Sequence, residues 1–260
     1  MTPASEPPAA HRTDQFLGLA FAHTTTDKVL AYSSSINRYD AFRYITTPNV
    51  DHIVALYPAV ASGVSAQFAA SQRSAALRLC DSRILALLAS LSGLKLTVVT
   101  GSDLTKALFG HVFGAAHRIA VVGATAELVE RLRQLYPSPD YIQLIPPMGV
   151  LDDLAAQVAI ADFVSAAKAD YTLFAIGAPQ SEIVAKRILD ANQAVGLGLC
   201  VGASLEFLVG DVRRAPRAVQ YLNLEWAFRL LSEPRRLWRR YLVRGPRIFK
   251  IWRDWIRARS

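Results

Sequence analysis

Carboxylates, histidines, cysteines and arginines are all present in this 260-residue chain, and their spacing narrows the chemistry open to them. The five histidines, His11, His23, His52, His111 and His117, stand at no spacing that pairs them as zinc ligands. No Asp-x-Asp pair is available to hold a divalent metal on a nucleotide diphosphate, and the adjacent Asp152-Asp153 reads as a charge pair at a helix start. Metal chemistry is therefore not expected. A bound diphosphate would have to be neutralised by arginines and helix N-termini. Gly196-x-Gly198-x-x-x-Gly202 has the wrong spacing for a dinucleotide fingerprint, and no Gly-x-x-x-x-Gly-Lys-Ser/Thr loop occurs. Cys80 and Cys200 give neither a disulfide framework nor a metal spacing, so two buried thiols in a reducing compartment are expected.

The elements that must position such residues alternate along the chain. Strands are expected at 43–45, 77–80, 95–100, 118–122, 141–145, 171–176 and 197–201. Helices are expected at 50–57, 65–76, 84–91, from 101 onward, and at 126–135, 152–167 and 181–192. This alternation predicts a doubly wound, Rossmann-like α/β fold with a mostly parallel sheet covered on both faces. Ligands in such folds sit at the carboxyl ends of the strands. That gathers residues 47–49, Asp81, 101–103, 123–125 and 177–182 around one crevice.

Composition divides the chain. The whole is 52% hydrophobic, enough for a large core. Fourteen of its 29 Arg and Lys residues, only four of its 21 Asp and Glu, and all four tryptophans lie from Asp211 onward. We expect a flexible leader over 1–38, whose opening lacks the layout of a secretory signal, an α/β body over 39–210, and a basic helical appendage over 211–260. The apolar run 194–205 is too short to span a bilayer, so membrane contact would be peripheral. In 247–259, Ile248, Ile251, Trp252, Trp255 and Ile256 fall on one helical face among Arg247, Lys250, Arg253, Arg257 and Arg259. That pattern suits a helix lying in an anionic bilayer interface. Two other readings stay open: a helix packed on the body with a solvated basic face, and a nucleic-acid contact. The last is disfavoured because no nucleic-acid-binding motif is present.

Several motifs then carry a family resemblance. Phe174-Ala175-Ile176-Gly177-Ala178-Pro179-Gln180-Ser181-Glu182 resembles the Gly-x-Pro-Lys-Gln-Glu motif of the WecG/TagA/CpsF glycosyltransferases, family 26. The run from Val201-Gly202 through Glu206-Phe207 to Gly210 is similar to its Val-Gly-x-x-x-Asp-Phe-x-x-Gly. Arg214-Ala215-Pro216, Leu224-Glu225-Trp226, Arg229-Leu230, Glu233-Pro234-Arg235-Arg236 and Arg239-Arg240-Tyr241 follow in the family's order. Upstream, Thr47-Pro48-Asn49 and Gly101-Ser102-Asp103-Leu104 also fit, so the resemblance covers roughly residues 39–245.

The resemblance implies an inverting, metal-independent and cofactor-free transfer of a hexose or N-acetylhexosamine-type sugar. The donor would be a UDP-sugar and the acceptor a polyprenyl-diphosphate-linked sugar. The product would serve an exopolysaccharide or other envelope glycan, made at the cytoplasmic face of the cell membrane. The family's general base is an Asp in an Asp-Gly motif, matched here by Asp81 with Ser82 in place of the Gly. By the same carry-over, substrate contacts are expected from Thr47, Asn49, Gly101, Asp103, Gly123, Gly177, Pro179, Gln180, Glu182, Gly202, Glu206, Arg214, Arg229, Arg235 and Arg239. Asp81 alternatively caps the helix that follows it, and each glycine alternatively serves a turn. The Lys-Gln pair is replaced by Gln180-Ser181 and the Asp by Glu206. These departures keep a second reading open, a catalytically weakened paralogue that binds a lipid-linked glycan or partner proteins. A homo-oligomer also stays open.

Overall fold

A computed structural model describes residues 12–57, 63–212, 216, 219 and 225–259. In chain order the elements are β1 (Thr13–Phe16), β2 (Leu19–Ala22), α1 (Thr26–Ser34), β3 (Arg43–Thr46), α2 (Val50–Leu56), α3 (Gly63–Ser74), β4 (Leu77–Arg78), α4 (Arg83–Leu91) and α5 (Gly101–His111). There follow β5 (Arg118–Gly123), α6 (Ala126–Leu135), β6 (Asp140–Leu144), α7 (Leu154–Ala167), β7 (Tyr171–Ala175), α8 (Gln180–Ala191), β8 (Leu197–Cys200) and α9 (Ser204–Leu208). The C-terminal segment holds α10 (Glu225–Ser232), α11 (Pro234–Trp238), a π-helical turn (Arg239–Arg244) and α12 (Arg247–Arg257).

Six strands form one sheet in the order β4-β3-β8-β7-β5-β6, and every pairing in it is parallel. The period-2 alternation of the buried strands sorts their side chains to two faces. Ile119 and Val121, Tyr171 and Leu173, and Leu197 and Leu199 meet α1, α5, α6 and α9. Val122, Phe174 and Cys200 meet α7 and α8 on the other side. The doubly wound body expected from the alternation is what forms.

A third core lies at the β4 end, and it departs from expectation. Within the stretch expected as a flexible leader, β1 and β2 pair as a hairpin, and α1 follows, capped by Thr25. Phe16, Leu17, Leu19 and Phe21 are buried with Ile53, Leu85 and Leu88 of α2 and α4, and with Ile248 and Ile251 of α12. The polar, Pro-rich composition of the opening residues hid a hairpin whose apolar face needs a cover. That cover is the face of α12 expected to enter a bilayer. The indole Nε1 of Trp252 donates to Ser92 Oγ at 2.8 Å, and Trp255 meets Phe16 edge-on at 5.2 Å between ring centres. In the structure this face packs against the body, and Arg247, Lys250, Arg253 and Arg257 stand exposed on the other side.

Residues 95–100 also differ, since they form only a single bridge from Val98 to Cys80. The edge strand they could join, β4, is two residues long and leaves little to pair with. Of the helical appendage expected over 211–260, residues 213–215, 217–218 and 220–224 lie outside the described residues. Among the described residues, no helix is long and apolar enough to cross a membrane.

Candidate active site

At the carboxyl ends of β3, β7 and β8 opens a cleft of about 1280 Å³, closed on its far side by the C-terminal segment. Thr47 and Asn49 enter it from the end of β3. Asn49 is also the N-cap of α2: its Oδ1 accepts from the Asp51 N–H at 3.0 Å. Gly101 opens α5 beside them. A Cβ at this position would stand 3.1 Å from Thr47 Oγ1 and 3.2 Å from Ser204 Oγ, so a larger residue would require these side chains to give by a few tenths of an ångström.

Asp81 follows the edge of the sheet and lines the same cleft. Its backbone N–H donates to the Pro48 carbonyl at 2.9 Å, tying it to the β3–α2 loop. The cap of α4 is supplied by the next residue. Ser82 Oγ accepts from the Leu85 N–H at 3.2 Å, so the helix start does not need the Asp81 carboxylate.

On the opposite wall Gly177, at φ +78°, turns the chain from β7 into α8. Pro179, whose bond from Ala178 is cis, starts that helix without a side-chain cap. Glu182, in the first turn, is only 3% exposed. His52 Nε2 lies 3.2 Å from Glu182 Oε1, while His52 Nδ1 stands 2.9 Å from Asn49 Oδ1. The other carboxyl oxygen, Oε2, is buried and finds no partner among the described residues.

The remaining wall is cationic. Arg83, Arg229, Arg239, Arg240 and Arg244 line the cleft against three acids, Asp51, Asp81 and Glu182. Arg240 pairs with Asp51, which fastens the π-helical turn to α2. Arg229 lies over the Phe207 ring at 4.9 Å, and its buried Nε has no partner among the described residues. Such a guanidinium is equipped to take an anion. Among the described residues no three His, Cys, Asp or Glu side chains gather as a metal would require.

Nine of the residues singled out in the sequence line this cleft: Thr47, Asn49, Asp81, Gly177, Pro179, Glu182, Gly202, Arg229 and Arg239. Gly101 lines a small adjoining cavity that shares Thr47 with the cleft, and five others do not line the cleft. Asp103 turns back to its own helix start, where its Oδ2 accepts from Thr100 Oγ1 at 2.7 Å. Gly123 is structural, since a Cβ there would stand 2.7 Å from Ile176 Cγ2. The Gln180 amide donates to the Ile176 carbonyl at 2.8 Å. Glu206 and Arg235 lie outside the cleft, and Phe207 is the neighbour of Glu206 that reaches it. Arg214 falls outside the described residues.

A family model described as "Glycosyl transferase WecG/TagA/CpsF family" matches residues 15–260. The chain belongs to the WecG/TagA/CpsF glycosyltransferase family. A curated relative from Bacillus spizizenii, named N-acetylglucosaminyldiphosphoundecaprenol N-acetyl-beta-D-mannosaminyltransferase, is 32% identical over 150 residues. The alignment spans 55% of this chain and 55% of that protein, so the chain covers about half the length of the relative. The family match begins within β1 and includes β2 and α1, which the motif reading had set aside.

Within this glycosyltransferase fold the sequence reading missed His52, Arg83, Arg240 and Arg244. His52 stands three residues after the cap Asn49, and its ring reciprocates the cap contact as a Glu or Gln would, a spacing that could have drawn notice. Arg240 and Arg244 reach the cleft because the C-terminal segment folds back onto α2, which no local pattern reveals. Both cysteines are buried and free. Burial pushes the Cys80 thiol up to about 12 and the Cys200 thiol well above its ordinary value, which makes both inert as nucleophiles.

Proposed function

We propose that this chain is an inverting, metal-independent glycosyltransferase. It moves a hexose or N-acetylhexosamine from a UDP-sugar to a polyprenyl-diphosphate-linked sugar, for an exopolysaccharide or related envelope glycan. The observation that carries this reading is Asp81, a carboxylate in an arginine-lined cleft whose helix-capping duty Ser82 has taken over.

In the reaction, a hydroxyl of the acceptor sugar attacks the anomeric carbon of the donor from the face opposite the diphosphate. Asp81 accepts the hydroxyl proton as the new C–O bond forms. The bond to the diphosphate oxygen breaks, and UDP departs with the electron pair. The charge growing on the leaving group meets Arg229 and Arg239, with the uncapped start of α8 close by. The Bacillus spizizenii relative is named for transfer of N-acetylmannosamine to a lipid-linked N-acetylglucosamine diphosphate, which supports that pair of sugars as the first to test.

A lipid-linked acceptor supports a peripheral position at the membrane, which we assign to its inner face. Trp252 and Trp255 are committed to the body, so attachment falls to the exposed Arg247, Lys250, Arg253 and Arg257 and to the half-exposed Trp238. The test is turnover of UDP-N-acetylmannosamine with a polyprenyl-diphosphate-linked N-acetylglucosamine by the purified chain. Release of UDP coupled to a disaccharide product supports the reading. A weakened paralogue is favoured by one observation, the diversion of the Gln180 amide to a backbone carbonyl. Acceptor binding without turnover would select it.

A further inference from the structure

The Asn49 side chain has an acceptor oxygen and a donor NH2 to offer. Its Oδ1 accepts from the Asp51 N–H at 3.0 Å, and His52 Nδ1 stands 2.9 Å from the same atom. Accepting from a backbone N–H identifies this atom as the oxygen, which settles how the amide is turned. Asn49 lines the cleft, and its Nδ2 has no hydrogen-bond partner among the described residues. Toward a bound molecule, Asn49 is therefore a donor. His52 is what holds it. The ring also lies 3.3 Å from the Asn49 backbone nitrogen, rests against Phe68 at 5.6 Å between ring centres, and reaches Glu182 Oε1 through Nε2 at 3.2 Å. Its side chain is 11% exposed and that of Glu182 3%, so the anchor is sheltered from water. The residue before Asn49, Pro48, accepts from the Asp81 N–H at 2.9 Å. The donor amide thus follows directly on the residue that fixes the carboxylate.

We infer that His52 is a positioning residue: anchored on Glu182, it holds the Asn49 amide so that Nδ2 donates to an oxygen of the acceptor sugar beside the attacking hydroxyl. The substrate named here rests on the transfer proposed above, whereas the orientation of the amide does not. The acceptor is favoured over the donor because Asn49 is tied through Pro48 to Asp81, and the base stands on the side from which the hydroxyl attacks. Without the ring, Oδ1 keeps only the Asp51 N–H, and the amide can turn away from the reacting hydroxyl. Misplacing a group that orients a reactant slows the reaction even when the fold survives.

The test compares His52→Ala, His52→Asn and His52→Gln in the full-length chain, each assayed at a temperature where circular dichroism shows it folded. Asn can still meet Asn49 but stops short of Glu182, whereas Gln is long enough to reach both. With UDP-N-acetylmannosamine and polyprenyl-diphosphate-linked N-acetylglucosamine, kcat/KM for the acceptor should fall roughly tenfold in the Ala and Asn variants. It should return to within about threefold of wild type in His52→Gln, with donor KM unchanged throughout. Asn49→Asp keeps the cap oxygen but removes the NH2, and should show the same loss on the acceptor. Wild-type kinetics in His52→Asn, or no recovery in His52→Gln, would overturn the assignment. So would a matching rise in donor KM, because the damage would then be general to the cleft. If the wild-type chain transfers no sugar, the proposed reaction fails and the anchor is read alone by proton NMR. The His52 Nε2–H should then give a sharp, slowly exchanging line that is missing from His52→Gln, and rapid exchange with water would remove the anchor.

Discussion

His52 Nε2 stands 3.2 Å from Glu182 Oε1, joining the loop after β3 to the first turn of α8 across one wall of the cleft. Glu182 is buried and His52 only slightly exposed, and the same imidazole reaches Asn49, so one side chain braces two loops that line the site. His52→Ala should leave the Glu182 carboxyl group without this partner and cost on the order of 1–3 kcal/mol in urea unfolding. Adding Glu182→Gln to that variant should restore part of the loss. Strictly additive effects of the two changes would show that they do not act as a pair.

The face of α12 makes a second prediction, opposite to the one its sequence invites. Trp252→Ala should lower stability by about 2 kcal/mol or more, because the ring packs on the hairpin core and its indole N–H holds Ser92. Vesicle binding should change little beyond that loss of fold. A variant of wild-type stability that no longer sediments with anionic vesicles would return this face to the membrane.

Outside the cleft, Asp170 organises the base of the sheet. Burial alone would raise its carboxyl. Hydrogen bonds from the Arg38 side chain and from the Arg118 and Arg38 backbone N–H groups outweigh it and hold the pKa below the ordinary value. Its contribution to stability is present above the unfolded Asp value of about 3.9 and lost as pH falls through the lowered folded value. Asp170→Ala should cost ~3–5 kcal/mol at pH 7 and flatten the acid limb of the stability curve. An unchanged acid limb would contradict this assignment.

The thiols offer a simple check on the core. Cys80 and Cys200 should resist alkylation at pH 8 in the native state and both react once the chain is unfolded. Fast native labelling of either would mean that its site opens.

What the sequence made legible follows from how local each signal is. The strands at 118–123 and 171–175 were read because buried parallel strands are continuous apolar runs. The crevice followed from strand ends alone. Thr100 and Asp103 sit at a capping spacing, so the role of Asp103 at its own helix start was legible and was passed over in favour of a ligand role. The fate of α12 was not legible. Ile and Trp ringed by Arg satisfy a bilayer and a protein core equally, and the choice was made by Phe16 and its neighbours more than 200 residues away. His52 and Glu182 are 130 residues apart and meet only through the order of strands in the sheet.

Metal dependence follows from the cations in the cleft. With five arginines lining the cleft, one of them paired with Asp51, the proposed reaction needs no metal and EDTA should leave the transfer rate unchanged. A strict requirement for magnesium or manganese would mean that the arginines do not supply this charge.

The account turns on Asp81. Replacing it by Asn keeps the shape of the cleft and the Ser82 cap while removing the proton acceptor. The decisive measurement is the rate of sugar transfer by Asp81→Asn beside its affinity for the UDP-sugar. Donor affinity within a few-fold of wild type, with a rate lower by about 10²–10⁴, is the predicted result. A rate within a few-fold of wild type would contradict the assignment of Asp81 as the base.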